Sequence, residues 1–154
     1  MDRRIIYGRL DGGVSVVIPA RCIDDGNLTD EEIFQRSWNK LPDDAINPQP
    51  ITIADIPPDR IFRNAWEHGG DKVNVNMNSA REIHLGRIRM ARDKALALLD
   101  VETIKAAGKG DSEALAAVEA QKQVLRDIPQ TIDLTKARTP EELKAIWPAE
   151  VPRG

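Results

Sequence analysis

The sequence predicts an α+β fold in which a small N-terminal module with a β-hairpin precedes a long antiparallel helical hairpin and a short C-terminal helix. Three observations predict it. The tripeptide Asp11-Gly12-Gly13 separates two runs of apolar, mostly β-branched residues. A proline-free stretch from 79 to 107 has apolar residues at helical spacing. A second helical stretch follows after a short glycine-containing linker, so the two helices are expected to fold back on each other.

The first element is the β-hairpin. One strand carries Ile5, Ile6, Tyr7 and Leu10, and the other is the run from Val14 to Ile18. Glycines supply the positive φ values that a tight hairpin turn needs. Pro19 is expected to end the second strand, because proline has no N–H for the ladder.

The next elements are short. Thr29 followed by Glu32 forms a capping box, which predicts an amphipathic helix. A proline-rich connection leads to "ITIADI" at 51–56, a predicted strand, and residues 60–70 are expected to form a turn or short helix. The alternation in "KVNVNM" at 72–77 predicts a further strand.

The helical hairpin begins at Asn78 or Ser79. Its first helix is expected to run for about 28 residues, or on the order of 40 Å. One side of this helix is predicted to be shielded from solvent, and we call it the dry side. It is formed by Ala80, His84, Ile88, Ala91, Ala95 and Leu99. The second helix is expected to start at Asp111 or Ser112 and to end before Pro129, with an apolar stripe of Leu115, Val118, Leu125 and Ile128.

The C-terminal segment contains one more helix start. Thr139 is a predicted N-cap, Pro140 suits the first helical position, and Glu142 completes the capping box. Leu143, Ile146 and Trp147 are expected to dock this helix. The chain therefore divides into a β-rich α+β module at 1–77, a helical hairpin at 78–128 and a C-terminal segment at 129–154.

Composition excludes several classes of protein. Across 154 residues the formal net charge is −3, and aromatic residues make up 4%. There is no apolar run of roughly 20 residues, so we expect no membrane span, and the N-terminus lacks the pattern of a signal peptide. Cys22 is the single cysteine, which excludes an internal disulfide.

Motifs that carry chemistry are absent from the sequence. "DGGV" lacks the length and the lysine of a phosphate-binding loop, and no pair of cysteines or histidines has the spacing of metal ligands. For His84 we favour a packing or capping role, and for His68 a place in a surface turn. Cys22 is interpreted as a small structural residue. We therefore expect a protein that is not an enzyme and has no catalytic, cofactor or metal site.

The arginines of the long helix are the best candidates for function. Arg81, Arg89 and Arg92 share one side of it. Acidic residues interrupt this side and the whole chain is acidic, so nucleic acid is a minor alternative to protein as the partner. Together with Trp66 and Trp147, these three arginines are the predicted partner-binding residues.

Several segments taken together resemble a group of small proteins encoded in the tail modules of tailed bacteriophages and prophages, near the tail-tip and tail-fibre genes. The segments are "DGGVSVVIP", "IPPDRIFRNAWE", "AREIHLGRIRMARDKALALLDVE", "LRDIP" and "TPEELKAIWP". Residues 20–50 lie outside the likeness. The β-start, the helical hairpin and the terminal Trp-Pro also resemble, more loosely, tail-fibre assembly chaperones.

The resemblance implies a function in tails. The first reading is a structural or adaptor protein of the virion tail, bound to the tip or fibre. The second is an assembly chaperone that acts in the bacterial host cytoplasm and is absent from the mature virion. In both, the partners are tail or tail-fibre proteins, and we expect a homo-oligomer or part of a larger assembly. A DNA-binding regulator is a third, less favoured reading.

Overall fold

A computed structural model describes residues 1–153 and confirms the predicted α+β class. The described chain forms two compact units, one from Met1 to Asn76 and one that begins at Met77. The helical hairpin and the C-terminal segment thus belong to a single unit.

The first unit is built on a three-stranded antiparallel sheet of order β2-β1-β3. Strand β1 spans Arg3–Gly8, β2 spans Val14–Val17 and β3 spans Ile46–Thr52. The β1–β2 hairpin is confirmed, with Ile6 opposite Val16. Gly12 has φ +83° in its turn, a conformation that only glycine adopts at low cost.

The strand predicted at 51–56 lies further towards the N-terminus than expected. The structure ends β3 at Thr52 and makes Ile53–Asp55 a turn of 3-10 helix. Pro48 and Pro50 are inside the strand, which the sequence pattern disfavoured. They are tolerated because β3 is an edge strand, where a missing N–H on the solvent side costs little.

Each face of the sheet is covered. One face packs Ile6, Val14 and Ile51 against Trp66 and Val73. The latter two belong to a separate two-stranded sheet of β4, Trp66–His68, and β5, Val73–Val75. On the other face, the guanidinium of Arg3 lies 3.7 Å from the centre of the Phe34 ring in α1, the helix Asp30–Trp38.

Helix α1 is held to the preceding loop by an ion pair that the sequence did not reveal. The carboxylate of Asp25 is buried and accepts hydrogen bonds from both terminal nitrogens of Arg36 and from the backbone N–H of Cys22. These bonds, the one from Arg36 first, lower the pKa of Asp25 from 3.8 to about 2. The carboxyl thus stays ionised in the folded protein at pH values where it is protonated in the unfolded chain.

We expect Asp25 to make the stability of this unit acid-sensitive. Because its folded pKa is lowered, its stabilisation is complete above about pH 4 and is lost as the pH falls towards 2. Asp25→Asn should lower the melting temperature at pH 7 and flatten its decline between pH 5 and pH 2. Thermal melts over this range, with exposed Asp43→Asn as control, measure it. Equal slopes for the three proteins would contradict the assignment.

The second unit contains three helices: α2 at Met77–Gly108, α3 at Ser112–Thr131 and α4 at Pro140–Ala145. Helix α2 is 32 residues, about 48 Å, long. Gly110 turns the chain with φ +66°, and the Asp111 side chain caps α3 by accepting the N–H of Ala114 at 3.0 Å. Helices α2 and α3 pack together, which confirms the helical hairpin.

Helix α3 continues past its predicted end. Pro129 lies inside it, and the last residue is Thr131. Proline deprives the helix of one hydrogen bond, but only two helical residues follow it, and Ile132 N–H still bonds the Ile128 carbonyl at 2.9 Å. The predicted N-cap of α4 is confirmed, since Thr139 accepts the N–H of Glu142 at 3.2 Å.

The predicted dry side of α2 is confirmed. Ala80, His84 and Ile88 are buried, and the other members, Ala91, Ala95 and Leu99, are half-buried. The two halves of α2 have different neighbours. The C-terminal segment binds the first half, through hydrogen bonds to Arg81 and His84, and α3 packs along the second half.

Candidate functional site

The structure places the three candidate arginines in different environments. Arg81 is half-buried and holds the C-terminal segment. Its Nε donates to the Leu134 carbonyl at 3.1 Å, its Nη2 to the Ala137 carbonyl at 2.7 Å, and its Nη1 to Asn78 Oδ1 at 2.9 Å. All three bonds remain within the unit, so this guanidinium is a structural group of the fold.

Arg92 is half-buried like Arg81, whereas Arg89 lies at the surface. Both Nε and Nη2 of Arg92 donate to Asp93 Oδ1, at 3.0 and 2.8 Å, and a fifth of the Arg92 side chain is exposed. Arg89 is exposed. The predicted arginine face is therefore not a single contiguous positive surface, and of its members Arg89 is the one most open to a partner.

We expect Arg81→Met to loosen the C-terminal segment. It removes two charge-assisted hydrogen bonds to carbonyls. Because the side chain is half-buried, each bond should contribute less than the about 1.5–3 kcal/mol of a fully buried one, and the free energy of unfolding should fall by about 1–3 kcal/mol. The matched control is Arg89→Met, an exposed arginine of the same helix, which should change it by less than about 0.5 kcal/mol. Urea unfolding measures both, and equal effects would contradict the structural role of Arg81.

The two candidate tryptophans also pack within the chain. Trp66 is 8% exposed and belongs to the core of the first unit. Trp147 is half-buried, and its Nε1 donates to the Val151 carbonyl at 2.7 Å. Its ring meets the His84 ring edge-on, with 5.7 Å between centroids. Partner binding by these tryptophans stays a prediction, but the structure already accounts for most of their surface.

Both histidines have structural hydrogen bonds. His84 has the packing role that the sequence favoured, whereas His68, expected in a surface turn, is the last residue of β4. The buried His84 donates from Nε2 to the Ile146 carbonyl at 2.7 Å. In His68, Nδ1 accepts the N–H of Gly70 at 3.0 Å, which leaves the proton on Nε2 for the Asn47 carbonyl at 2.8 Å. Within residues 1–153 no three His, Cys, Asp or Glu side chains are grouped to hold a metal ion.

An open concave surface lies in the second unit. It is an apolar groove of about 490 Å³ between α2, α3 and the C-terminal segment. Leu98 and Val124, on its walls, are 71% and 49% exposed. The groove is lined by Ala95, Leu98, Leu99, Gln121, Val124, Leu125, Glu150 and Pro152. Its polar groups are therefore one amide and one carboxylate, so it suits apolar side chains accompanied by a basic group.

Sequence reasoning missed a buried lysine beside the groove. Lys122 Nζ pairs with Asp100 of α2 at 2.7 Å and with Glu119 at 3.4 Å, while 7% of its side chain is exposed. The hydrogen bond to Asp100 is the main cause that raises its pKa. Lys122 lies between Val118 and Leu125 on the apolar stripe of α3. This position in the sequence could have indicated that the lysine is buried. Its ion pair with Asp100 joins α2 to α3.

Nothing among these helices resembles a membrane span: within the described residues, none combines the length and apolarity needed to cross a bilayer.

Comparisons with known proteins give one match of low identity. A curated protein named Arpin, from Bos taurus, is 26% identical over 126 residues. The match covers 82% of this chain and 50% of Arpin, so the chain spans about half the length of the curated relative it matches. No family model and no solved structure matches the chain.

Proposed function

We propose that this chain is a non-enzymatic protein of a bacteriophage tail, a structural or adaptor component that is attached to the tail tip or tail fibre through protein contacts. The resemblance of its segments to tail-module proteins supports the context. The observation that carries a role in protein contacts is the exposed apolar groove. Leu98 and Val124 are largely exposed and both line this groove on the helical hairpin. Apolar side chains exposed in this way mark a surface that a partner can cover.

The partner surface that fits this groove is an apolar helix or loop of a tail protein with a lysine or arginine near its apolar residues. The apolar side chains would fill the volume between Leu98 and Val124, and the cation would meet the exposed carboxylate of Glu150. Grooves between packed helices commonly take the apolar face of a further segment in this way.

The alternative is a tail or tail-fibre assembly chaperone that is absent from the mature virion. The open groove favours it equally, because a surface that is apolar and accessible in the isolated chain also suits a client that binds transiently. A DNA-binding regulator is less favoured. It would need the arginines to form one uncovered surface, whereas Arg81 and Arg92 are engaged within the chain.

Mass spectrometry of purified phage particles tests the first proposal against the second. Peptides of this chain at a fixed ratio to a known tail protein would support a virion component. Their absence from particles, together with abundance in infected cells, would support the chaperone and would place the chain in the host cytoplasm rather than in the tail. A chain absent from both would contradict a function in tails.

The groove itself has a separate test. We expect Leu98→Glu with Val124→Glu to abolish co-purification with tail proteins from infected cells while leaving the melting temperature within about 2 °C, because both side chains are already exposed. Leu10→Glu with Ile53→Glu, two apolar residues of the first unit that are 78% and 56% exposed, is the matched control. Undiminished co-purification of the groove variant would remove the groove from the proposal.

A further inference from the structure

Helix α2 carries a second apolar surface, distinct from the groove. The side of α2 that meets α3 is marked by Leu99, which lines the groove with Leu125, and by the buried Ala106. At 100° per residue, the opposite side of the helix carries a stripe that we call the outer face of α2. It consists of Met90, Ala97, Val101 and Ile104.

The outer face is open to solvent. Met90 is 65% exposed, Val101 48% and Ile104 72%, and Ala97 is also exposed. This distribution is unusual, because a helix at the surface of a protein normally has one apolar stripe, whereas a helix that is apolar on two opposite sides is covered on both. Helix α3 covers one side of α2, and no other element of the described second unit covers the outer face.

Charges of opposite sign run along the two edges of this stripe. Acidic residues lie roughly 50–70° from its centre on one side, and basic residues lie at the same angle on the other. The acidic edge consists of Glu82, Asp93 and Asp100, and the basic edge of Arg87, Lys94 and Lys105. Edges of opposite sign beside an apolar stripe resemble the flanks of a coiled coil.

The separation of acidic and basic residues onto opposite edges distinguishes two ways in which the α2 helices of two copies can pair. In an antiparallel pair each edge meets the same edge of the other copy, so acid would face acid. In a parallel pair each edge meets the opposite edge, so acid faces base. The spacing agrees with the parallel case, in which flanking residues five positions apart meet across the seam. Glu82 stands five residues before Arg87, and Asp100 five before Lys105.

We propose that the outer face of α2 is a self-association surface, on which a second copy of this chain packs its own outer face with the two α2 helices parallel. Burial of the apolar stripe supplies most of the free energy of association. The charged edges select the orientation, since exposed ion pairs add little affinity and several of these groups also have partners in their own chain, as Asp100 has in Lys122. The inference does not depend on a function in tails.

The strength of the pairing follows from the size of the stripe. Met90 and Ile104 are about 21 Å apart along the helix. The area that a stripe of this length can bury is smaller than the roughly 800 Å² per partner of a standard stable interface. We therefore expect pairing at high micromolar concentration, strengthened wherever an assembly holds copies side by side.

Disulfide crosslinking of the full-length chain tests both the surface and the orientation. In a Cys22→Ser background, Met90→Cys and Ile104→Cys are made separately and oxidised mildly. The protein concentration is about 0.5 mM, so that a pair with a Kd in the high micromolar range is substantially formed. Parallel pairing brings each new cysteine next to its own copy, so both variants should form dimers. A disulfide needs Cα atoms within about 7 Å. Antiparallel pairing about Ala97 would separate these cysteines by about 21 Å.

Variants provide the controls. Val101→Glu with Ile104→Glu should reduce the dimer fraction in sedimentation at least tenfold, whereas the groove variant Leu98→Glu with Val124→Glu should leave it unchanged. Arg87→Glu should weaken pairing, and Glu82→Arg in the same chain should restore it.

Three results would overturn the proposal. They are a chain that stays monomeric at about 1 mM, a dimer that only an Ala97→Cys variant can crosslink, and a dimer lost in the groove variant alone. None of these measurements uses phage particles, so failure of the tail function and failure of self-association are seen separately.

Discussion

We expect Ile88→Asp to unfold the helical unit. Ile88 is fully buried on the side of α2 that packs within its unit, and its neighbours on that side include the buried Ala80 and His84. A carboxylate placed there would be removed from water, and burial of a charge in an apolar environment costs on the order of 4 kcal/mol or more. Domains are stable by about 5–15 kcal/mol in all, so this loss is a large part of the total.

Circular dichroism and urea unfolding measure the effect. The variant should lose helical signal or melt far below the parent chain, while Ile88→Val, which keeps an apolar side chain, should cost about 0.5–1.5 kcal/mol. The exposed neighbour Arg89 provides a control for introducing a carboxylate into this helix, as Arg89→Asp. An Ile88→Asp chain that melts like the Arg89→Asp chain would contradict the burial of this side of α2.

Trp66→Ala is expected to have the second largest effect. The ring is 8% exposed and packs in the core of the first unit with Ile6, Val14, Ile51 and Val73. Its removal leaves a cavity between the two sheets and should cost about 3–5 kcal/mol. Near-ultraviolet circular dichroism and urea unfolding measure the loss, and Trp66→Phe, which fills most of the volume, should cost clearly less.

This experiment also decides between two roles of the residue. Trp66 was predicted to bind a partner, and that role requires the ring to be accessible. A Trp66→Ala chain that keeps its stability but no longer captures tail proteins would support the partner role. A chain that loses stability, and regains capture in Trp66→Phe, would assign the ring to the core alone.

Local signals explain why much of the fold could be predicted. The turn at Gly12, the caps at Thr29 and Thr139, and the stripe through Ile88 depend on residues close together in sequence, and the structure confirms them. The strand β3 could not be predicted from such signals. Its prolines disfavour a strand locally, and its edge position, which makes them tolerable, depends on pairing with β1.

The candidate site was less predictable because exposure is not a local property. Helical spacing assigned Arg81 and Arg92 to the same side of α2, but it could not indicate that carbonyls of the C-terminal segment, more than 50 residues away, would bind Arg81. It also could not reveal that Lys122 is buried, because the partner that makes burial tolerable, Asp100, lies on the other helix.

By itself, the sequence determined the α+β class, the N-terminal β-hairpin, the helical hairpin and the dry side of α2, since spacing, caps and turns are properties of neighbouring residues. Only the tertiary structure decided which apolar residues remain exposed. Helix α3 and the C-terminal segment cover one side of α2 and stop short of Leu98 and Ile104. Burial depends on which distant segments pack together, and so the groove and the outer face of α2 became visible only in the folded chain.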